Sequence, residues 1–241
     1  MNPAAESRFA RTELLYGEAA VRALSRAHVA VFGLGGVGGH VVEALARSGV
    51  GALDLIDSDR LAPSNLNRQI LALHSTLGQY KTDAAAARIR DINPDCEVRC
   101  FRCFFLPETA GDFDFSQYDY VVDAIDTVTG KLCLAERARE AGVPLISALG
   151  AGNKLDPAAF RVSDLAETSM DPLARVMRKE LRRRGIEHLK AVWSPEEPLK
   201  PLEDAPPEET GRRALPGSTA FTPPAAGLLL ASTVVRDLAG V

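Results

Sequence analysis

The stretch that decides the fold runs from residue 28 to residue 57 and reads HVAVF, GLGGVGG, HVVEALARSG, VG and ALDLID. Its first five residues form a short apolar run typical of a buried strand, and the glycine-rich segment after them predicts a tight turn. Apolar residues then recur at helical spacing as far as Gly49, and the last segment predicts a second strand. A strand–turn–helix–strand unit implies two parallel strands joined by a right-handed crossover.

Strand and helix patterns keep alternating on both sides of this unit. The pattern predicts a helix over 9–27 and, after the unit, a helix over 79–91, strands over 97–105 and 118–124, a helix over 128–141 and a strand over 143–149. Regular alternation of this kind is typical of α/β proteins. The sequence therefore predicts a Rossmann-like, mostly parallel sheet with helices on both faces.

The character of the chain changes after residue 150. A strand is predicted over 160–165, a basic helix over 172–184, and a final apolar helix from Pro223 to about Leu238. Residues 194–216 contain six prolines and six acidic residues, which predicts a mobile loop. We expect an extension with a few antiparallel strands and a final helix. The predicted division is an N-terminal helical arm (1–27), a nucleotide-binding core (28–150) and a substrate-side extension of the same domain (151–241).

The composition of the 241 residues excludes several classes of protein. A hydrophobic fraction of 46% and a charged fraction of 25% exclude a disordered or collagen-like chain. The net charge of −4 excludes a wholesale polycationic nucleic-acid binder but allows a local basic patch. Four cysteines do not suggest a disulfide scaffold, so we expect a reducing, cytoplasmic environment. The N-terminus lacks the apolar run of a signal peptide, and we expect no membrane-spanning segment.

The glycine turn is a candidate phosphate-binding loop. Gly33, Gly35, Gly36 and Gly38 permit close approach of the backbone to phosphate, and the helix after them presents free N–H groups and the positive end of its dipole. Asp57 ends the second strand 19 residues after Gly38, where a carboxylate accepts hydrogen bonds from ribose hydroxyls. This pattern alone fits a dinucleotide as well as a mononucleotide.

Polar motifs further along the chain favour ATP over NAD. A triphosphate attacked at its α-phosphate needs cations around the leaving pyrophosphate and a carboxylate for the metal. The motifs DSD (57–59), SNLNRQ (64–69), GQYK (78–81) and DAID (123–126) supply such groups, and the last of them follows a predicted strand, where open parallel sheets bind ligands. We therefore add to the predicted nucleotide contacts the residues Asp59, Asn65, Arg68, Gln69, Lys81 and Asp126.

In this order the motifs resemble those of the adenylating enzymes of the ubiquitin-activating superfamily, the ThiF/MoeB/HesA group. The resemblance runs from residue 8 to about residue 151. It implies that ATP is bound with Asp57 on the ribose, that Asn65, Arg68 and Lys81 contact phosphates, and that Asp126 assists Mg²⁺ as the metal ligand. It also implies a homodimer in which Arg11 reaches into the partner's site. The implied catalytic residues are Arg11, Arg68, Lys81 and Asp126.

The cysteines separate the subgroups of this superfamily. Members that activate ubiquitin-like carriers often hold zinc in two CxxC pairs, and some use a nucleophilic cysteine beyond the fifth strand. Here Cys133 is the last cysteine, and Cys100 and Cys103 form a single pair, which cannot supply the four ligands of a zinc site. We therefore expect no zinc, and we predict that the cysteines are buried apolar residues.

The segments after residue 149 resemble one subgroup, the tRNA threonylcarbamoyladenosine dehydratase (TcdA/CsdL) type. They read GAGNKLDP (150–157), VSDLAET (162–168), DPLA (171–174) and VWSPE (192–196), and with them the resemblance covers nearly the whole chain. It implies ATP-dependent adenylation of a carboxylate, followed by cyclisation of the threonylcarbamoyl group on adenosine 37 of a tRNA. Because the second nucleophile belongs to the substrate, this chemistry needs no enzyme cysteine.

The predicted basic helix is a candidate RNA-binding surface. Arg175, Arg178, Lys179 and Arg182 fall at i, i+3, i+4 and i+7, and Arg183 lies beside them. Cations on one helix face neutralise RNA phosphates without reading sequence. A solvated helix face without a ligand is the alternative interpretation.

Three other functions stay open at this point. The first is activation of a ubiquitin-like sulfur carrier, in which the acceptor is a C-terminal Gly-Gly. The second is a catalytically silent nucleotide-binding scaffold, which the presence of Arg11, Arg68, Lys81 and Asp126 disfavours. The third is an NAD-dependent oxidoreductase, which needs neither Arg68 nor Lys81. A sulfur-transfer protein also stays open as a partner beside tRNA.

Overall fold

The computed structural model describes residues 7–202 and 216–241. The strands formed by these residues are β1 (His28–Phe32), β2 (Ala52–Ile56), β3 (Glu97–Phe101), β4 (Tyr120–Asp123), β5 (Leu145–Ala148), β6 (Arg161–Asp164) and β7 (Lys190–Trp193). The α-helices are α1 (Ala10–Tyr16), α2 (Glu18–Leu24), α3 (Gly38–Arg47), α4 (Lys81–Ile92), α5 (Val128–Ala141), α6 (Pro172–Arg183) and α7 (Thr222–Ala239). Within the described ranges, no helix combines the length and the apolar character that crossing a membrane requires.

The strands form one sheet in the order β3-β2-β1-β4-β5-β7-β6, and β6 is antiparallel to β7 while the other pairs are parallel. In the register of the sheet, Phe32 pairs with both Ile56 and Asp123. The chain segments that leave β1, β2 and β4 therefore emerge side by side at the carboxyl ends of these parallel strands. The predicted Rossmann-like, mostly parallel sheet, with an antiparallel strand and a final helix in the C-terminal extension, is confirmed.

Each face of the sheet has its own hydrophobic core. Helices α2, α3, α4 and α7 cover one face, over the fully buried Val29 and Val31 of β1. Helices α5 and α6 cover the other face together with an aromatic cluster around Phe32. In this cluster the rings of Phe105 and Phe113 lie 4.8 and 5.5 Å from the Phe32 ring in edge-on geometry, which favours aromatic pairs beyond their burial. The sheet is thus packed on both of its faces where β1, β2 and β4 end.

Three local predictions differ from the structure. The helix predicted over 9–27 is split into α1 and α2 at Gly17, whose φ of +84° is unfavourable for other residues. The strand predicted over 97–105 ends at residue 101, because Phe105 leaves the sheet to join the aromatic cluster. Strand β7 was not predicted, since its four residues lie between a basic helix and a proline-rich segment. Residues 194–202 form neither helix nor strand, and 203–215 of the predicted loop lie outside the described residues.

The C-terminal helix α7 packs directly against the glycine turn. A Cβ atom at Gly227 of α7 would lie 2.5 Å from the carbonyl oxygen of Val37, so this approach requires a residue without a side chain. At the start of α7, Pro223 lies against Gly36, where an added Cβ would be 3.1 Å from the proline Cβ. The last helix of the chain therefore supports the turn that follows β1.

A buried ion pair joins α5 to the centre of the sheet. Lys131 of α5 and Asp123 of β4 are 1% and 0% exposed, and the lysine Nζ lies 3.0 Å from each carboxylate oxygen. The same Nζ donates hydrogen bonds to the carbonyl oxygen of Ala148 at 2.6 Å and to the hydroxyl of Ser147 at 3.2 Å. Every charge in this cluster has partners, which is the condition for tolerating charges inside a protein.

We expect Lys131→Met to lower the free energy of unfolding by about 3–5 kcal/mol, because it leaves the carboxylate of Asp123 buried without a cation. The measurement is equilibrium urea denaturation followed by circular dichroism. Arg183→Ala is the control, since it breaks an exposed ion pair with Glu180 and should cost less than about 1 kcal/mol. Equal small losses in both variants would contradict a structural role for the buried pair.

Candidate nucleotide-binding site

The glycine turn between β1 and α3 has two kinds of glycine. A Cβ at Gly38 would lie 1.8 Å from the carbonyl oxygen of Gly33, and Gly33 itself has a φ of +89° and backs onto Ala124. These two glycines are required by the fold. Gly35 is different, because an added Cβ there would have only the Nε2 of Gln69 within 4.0 Å. The space beside Gly35 is open, as a phosphate-binding turn requires.

A carboxylate and a lysine lie together beside this turn. The carboxylate of Asp57, directly after β2, accepts hydrogen bonds from the backbone N–H of Leu34 at 2.7 Å and of Asp59 at 2.8 Å. Lys81, the first residue of α4, is 5% exposed, and its Nζ lies 2.7 Å from Asp59 Oδ2 and 3.7 Å from Asp57 Oδ1. Burial raises the pKa of the Asp57 carboxyl, and the Lys81 ammonium opposes that rise. The structure thus brings together three of the predicted nucleotide contacts.

Arg68 lies against the glycine turn from the other side. A Cβ built at Gly36 would be 3.4 Å from the Cγ of Arg68. The Nη1 of Arg68 donates hydrogen bonds to the carbonyl oxygen of Ser64 at 2.8 Å and to Oδ1 of Asn67 at 2.9 Å. These bonds orient the guanidinium of the half-buried Arg68, whose aliphatic stem lies against the turn, and make it a candidate partner for phosphate oxygens.

Gln69 and Asn65 lie on the same segment and have different partners. Gln69 is 6% exposed, and its buried Oε1 has no hydrogen-bond partner within the described residues. The Gln69 atom nearest the open space beside Gly35 is Nε2, which can donate a hydrogen bond to a phosphate oxygen. Asn65 uses its Oδ1 to accept the backbone N–H of Ala62 at 3.0 Å. The open glycine and the neighbouring Nε2 of Gln69 together fit a bound phosphate.

Asp126 and Arg11 are exposed and lie on different parts of the molecule. Asp126 follows the carboxyl end of β4, three residues after Asp123, whose oxygens are held by Lys131. Of the two aspartates in the motif, Asp126 is therefore the one available to a ligand. Arg11 lies exposed on α1, which packs on α2.

The cysteines differ in part from their prediction. Cys96 and Cys133 are buried, Cys103 is half-buried, and Cys100 is exposed because β3 lies at the edge of the sheet. The prediction of burial was therefore wrong for Cys100. Burial still raises the pKa of the Cys100 and Cys103 thiols, so both are protonated near neutral pH. In residues 7–202 and 216–241, no cluster of three or more His, Cys, Asp or Glu side chains is arranged to hold a metal.

The five predicted RNA contacts of α6 have different environments. Arg178 is half-buried and donates hydrogen bonds to the carbonyl oxygens of Thr168 at 2.7 Å and Leu165 at 3.3 Å. Arg183 forms an ion pair with Glu180 at 2.8 Å. The other three side chains are exposed and form no ion pair within the described part of the chain: Arg175, Lys179 and Arg182. Arg178 therefore anchors the helix to the loop before it through Nη1.

Sequence reasoning missed His40 as a neighbour of the turn. Its Nδ1 lies 3.0 Å from the carbonyl oxygen of Gly36, and burial lowers its pKa, so the ring is neutral near pH 7. The spacing i, i+4 from Gly36 in the first turn of α3 was the available signal. A neutral ring leaves the positive charge at this edge to Arg68 and Lys81.

A Rossmann-type sheet and an open glycine turn that is flanked by an aspartate–lysine pair and by an arginine define a nucleotide-binding α/β protein. The chain belongs to the ThiF family, whose profile matches residues 8–240. The family resemblance predicted from the motifs is therefore confirmed.

Relatives are similar to this chain over almost its full length. It is 43% identical over 238 residues to the tRNA threonylcarbamoyladenosine dehydratase of Bacillus subtilis strain 168. This alignment covers 95% of this chain and 94% of the relative. The Escherichia coli tRNA N6-threonylcarbamoyladenosine dehydratase, TcdA, solved in complex with ATP, aligns at a TM-score of 0.87 and 35% identity over 98% of this chain and 95% of that chain. Its complex with AMP aligns at a TM-score of 0.88 with the same identity and coverage.

We expect Gly35→Ala to keep the stability of the unmodified protein but to weaken ATP binding roughly tenfold or more, because the methyl group would enter the open space beside Gln69. Gly38→Ala should instead prevent folding, because its Cβ would collide with the Gly33 carbonyl. Thermal denaturation and calorimetric titration with ATP measure the two effects. If Gly35→Ala binds ATP normally, the nucleotide does not occupy that space.

Proposed function

We propose that this protein is an ATP-dependent tRNA threonylcarbamoyladenosine dehydratase. The observation that carries the proposal is that similarity to an enzyme of that name extends over 95% of the chain. It therefore includes the extension after residue 150, where the motifs of this subgroup lie, as well as the nucleotide-binding core. The structural similarity to TcdA in complex with ATP supports the assignment of ATP as the nucleotide.

The proposed reaction removes one water from the threonylcarbamoyl side chain on adenosine 37. A carboxylate oxygen of that side chain attacks the α-phosphorus of ATP, and the bond to pyrophosphate breaks. A heteroatom of the same carbamoyl group then attacks the activated acyl carbon and loses its proton to solvent, and AMP leaves with the former carboxyl oxygen. The ring closes without a covalent bond to the enzyme, so the reaction needs no cysteine nucleophile.

The chain's own residues stabilise charge in this reaction. Cations placed near a leaving pyrophosphate lower the barrier because negative charge accumulates there in the transition state. Arg68 lies against Gly36 of the glycine turn, and Lys81 is held at the start of α4 beside Asp57. We assign Arg68 and Lys81 to the β- and γ-phosphates and Asp57 to the ribose, with Asn65 as a further phosphate contact.

We assign Asp126 to Mg²⁺. It is an exposed carboxylate just past the carboxyl end of β4, and carboxylate oxygens are the ligands that Mg²⁺ prefers. Mg²⁺ bound with ATP supplies positive charge that neutralises phosphate oxygens. Asp123 does not fit this role, because both of its oxygens lie 3.0 Å from Lys131 Nζ.

We propose a homodimer in which α1 contacts the partner subunit. Helix α1 has no buried residue, and Leu14 and Leu15 are 85% and 83% exposed. Large neighbouring apolar side chains in water are typical of a surface that another protein covers. Arg11 lies one turn before them on the same helix, and we propose that it reaches the partner's nucleotide site.

The test of the function compares acceptors for ATP-dependent pyrophosphate release. The purified protein is given ATP, Mg²⁺ and one of three acceptors: tRNA carrying threonylcarbamoyladenosine, the same tRNA without the modification, or a carrier protein ending in Gly-Gly. We expect release only with the modified tRNA, together with loss of the mass of one water from its nucleoside. Release with the carrier alone would favour a sulfur-carrier activator, and no release with any acceptor would favour a silent scaffold.

Arg11→Ala and Asp126→Ala should each be nearly inactive as purified variants while keeping the fold, because both remove interactions made in the transition state. We expect a mixture of the two variants to recover part of the activity, since one site of a mixed dimer then contains both Arg11 and Asp126. Pyrophosphate release by mixed subunits is the measurement. No recovery in subunits that are shown to exchange would contradict a site shared across the interface.

We propose that the outer face of α6 binds tRNA. Arg175, Lys179 and Arg182 are exposed without ion-pair partners in the described ranges, so they form a local cationic surface on a protein whose net charge is −4. Phosphate contacts of this kind add affinity without base recognition.

Replacing Arg175, Lys179 and Arg182 by Glu should weaken tRNA binding and reduce its salt dependence, because fewer counterions are released. ATP affinity should not change. The matched control replaces three exposed arginines on helices or turns of the other face, Arg26, Arg90 and Arg236, with the same change in charge. Titrations of tRNA at several salt concentrations measure the effect. Equal losses in both triple variants would mean that net charge, and not this helix, attracts tRNA.

We place this reaction in the cytoplasm. The four cysteines are free thiols in the structure, as is typical of proteins in a reducing compartment. A sulfur-transfer protein stays a prediction as a further partner.

A further inference from the structure

We propose that Asn67 and Asn153 are positioning residues that hold the guanidinium of Arg68 in the orientation in which it binds the phosphates of ATP. This proposal rests on the proposed function, in which Arg68 contacts the β- and γ-phosphates. Neither asparagine is assigned a contact with the nucleotide. Both act through a line of hydrogen bonds that runs from the C-terminal extension to the glycine turn.

The first link in this line is the side-chain amide of Asn67. Its Oδ1 accepts a hydrogen bond from Arg68 Nη1 at 2.9 Å, and its Nδ2 donates to the carbonyl oxygen of Ser218 at 3.1 Å. Both ends of the amide are therefore engaged, so its orientation is determined. Arg68 Nη1 also donates to the carbonyl oxygen of Ser64 at 2.8 Å. Two acceptors on Nη1 fix the plane of the guanidinium. The N–H groups on Nε and Nη2 take no part in these two bonds.

The second link fixes the Ser218 carbonyl, which lies 151 residues after Asn67. Asn153 binds the neighbouring Gly217 at two points: its Oδ1 accepts the Gly217 N–H at 2.6 Å, and its backbone N–H donates to the Gly217 carbonyl at 2.8 Å. The carbonyl oxygen of Asn153 accepts the backbone N–H of Leu199 at 2.7 Å. Asn153 thus binds both Leu199 and Gly217, which lie far along the chain from it.

The backbone conformation of Asn153 makes this double contact feasible. Its φ is +58°, in the left-handed region, which asparagine tolerates better than other residues with a side chain. The residue before it, Gly152, lies against Pro216, where an added Cβ would be 2.7 Å from the proline Cβ. The Gly152–Asn153 pair is therefore shaped to receive Pro216 and Gly217.

The consequence is that the extension orients a cation of the nucleotide site. A free arginine side chain has many rotamers, and ordering it when a ligand binds costs free energy. The contacts of Asn67 and Ser64 order Arg68 before ATP binds, so the free energy of ordering this side chain does not reduce the affinity for ATP. Asn67 is exposed, so its removal should have a small effect on folding and a larger effect on phosphate binding.

The experiment measures the affinities of ATP and AMP by calorimetry for the full-length protein without tRNA. Asn67→Ala should weaken ATP binding about 3- to 10-fold, the range expected for one ordinary intramolecular hydrogen bond, and leave AMP binding unchanged. AMP lacks the two phosphates assigned to Arg68, so a general loosening of the site would weaken both nucleotides. Gln117→Ala is the matched control, because Gln117 Oε1 also accepts a hydrogen bond from an arginine, Arg99, at 3.0 Å. Gln117 lies before the start of β4, whereas the candidate nucleotide site lies at the carboxyl ends of the strands.

A double-mutant cycle separates action through Arg68 from an independent effect. Arg68→Ala should weaken ATP binding, and adding Asn67→Ala to it should cause no further loss. Additive losses would overturn the proposal. Unchanged ATP affinity in Asn67→Ala, when Arg68→Ala shows a loss, would overturn only the positioning role. Unchanged affinity in Arg68→Ala itself would overturn both this inference and the phosphate assignment of the proposed function.

Two substitutions at Asn153 test the second link. Asn153→Gly keeps the left-handed backbone but removes the acceptor for Gly217, so it should reproduce the selective loss of ATP affinity. Asn153→Asp keeps an acceptor oxygen at that position and should restore affinity to that of the unmodified protein. Equal ATP affinities for Asn153→Gly and the unmodified protein would contradict a role for Asn153, as would a loss of AMP affinity in Asn153→Gly.

Discussion

The close contact between the backbone of Gly33 and the first residue of α3 is the constraint on which the rest of the structure depends. A Cβ at Gly38 would lie 1.8 Å from the Gly33 carbonyl oxygen, so the helix can begin this near to β1 only with glycine there. Gly227 allows α7 to approach the same turn in the same way, at the carbonyl of Val37. At both contacts, two backbones pack without a side chain between them. The N-terminus of α3 therefore lies close to β1, next to the open space beside Gly35.

Two lysine–aspartate clusters at the carboxyl edge of the sheet have different consequences because their burial differs. Lys131 and Asp123 are fully enclosed with their hydrogen-bond partners, so they support the end of β4 and cannot bind a ligand. Lys81 is also buried, but Asp59, its nearest partner, has a side chain that is 57% exposed to water. An ion pair open to water is worth little, so exchange of that partner for a phosphate is inexpensive. The same residue types thus form a closed structural pair in one place and, in the other, a pair that is open to water on one side.

The sequence predicted the sheet and most of the helices correctly, because each depends on local patterns. The set of nucleotide contacts, which comes from local motifs, stays a prediction. Glycine spacing, apolar runs and the polar motifs after β2 and β4 all lie within short windows of the chain. The errors arose where a distant contact decided the outcome. Phe105 continues an alternating pattern yet leaves β3 for the aromatic cluster, and the four residues of β7 form a strand because β5 and β6 pair with them on either side. Arg178 lies in the predicted basic row, and its Nη1 also binds carbonyl groups of the preceding loop, a contact that the row itself did not indicate.

By itself, the sequence determined that this chain has a parallel α/β core with a phosphate-binding turn and the polar residues of an adenylating enzyme of the ThiF family. Those features follow from residue type and spacing, which the physics of strands, helices and glycine turns translates directly into local structure. Only the tertiary structure decided which members of each motif are available to a ligand. Asp123 and Asp126 are three residues apart, and burial beside Lys131 separates their roles. Asn67 and Ser218 are 151 residues apart, and packing of the extension brings them within one hydrogen bond. Such contacts depend on the whole fold, because chain segments that are remote in sequence meet only after the sheet and its helices have assembled.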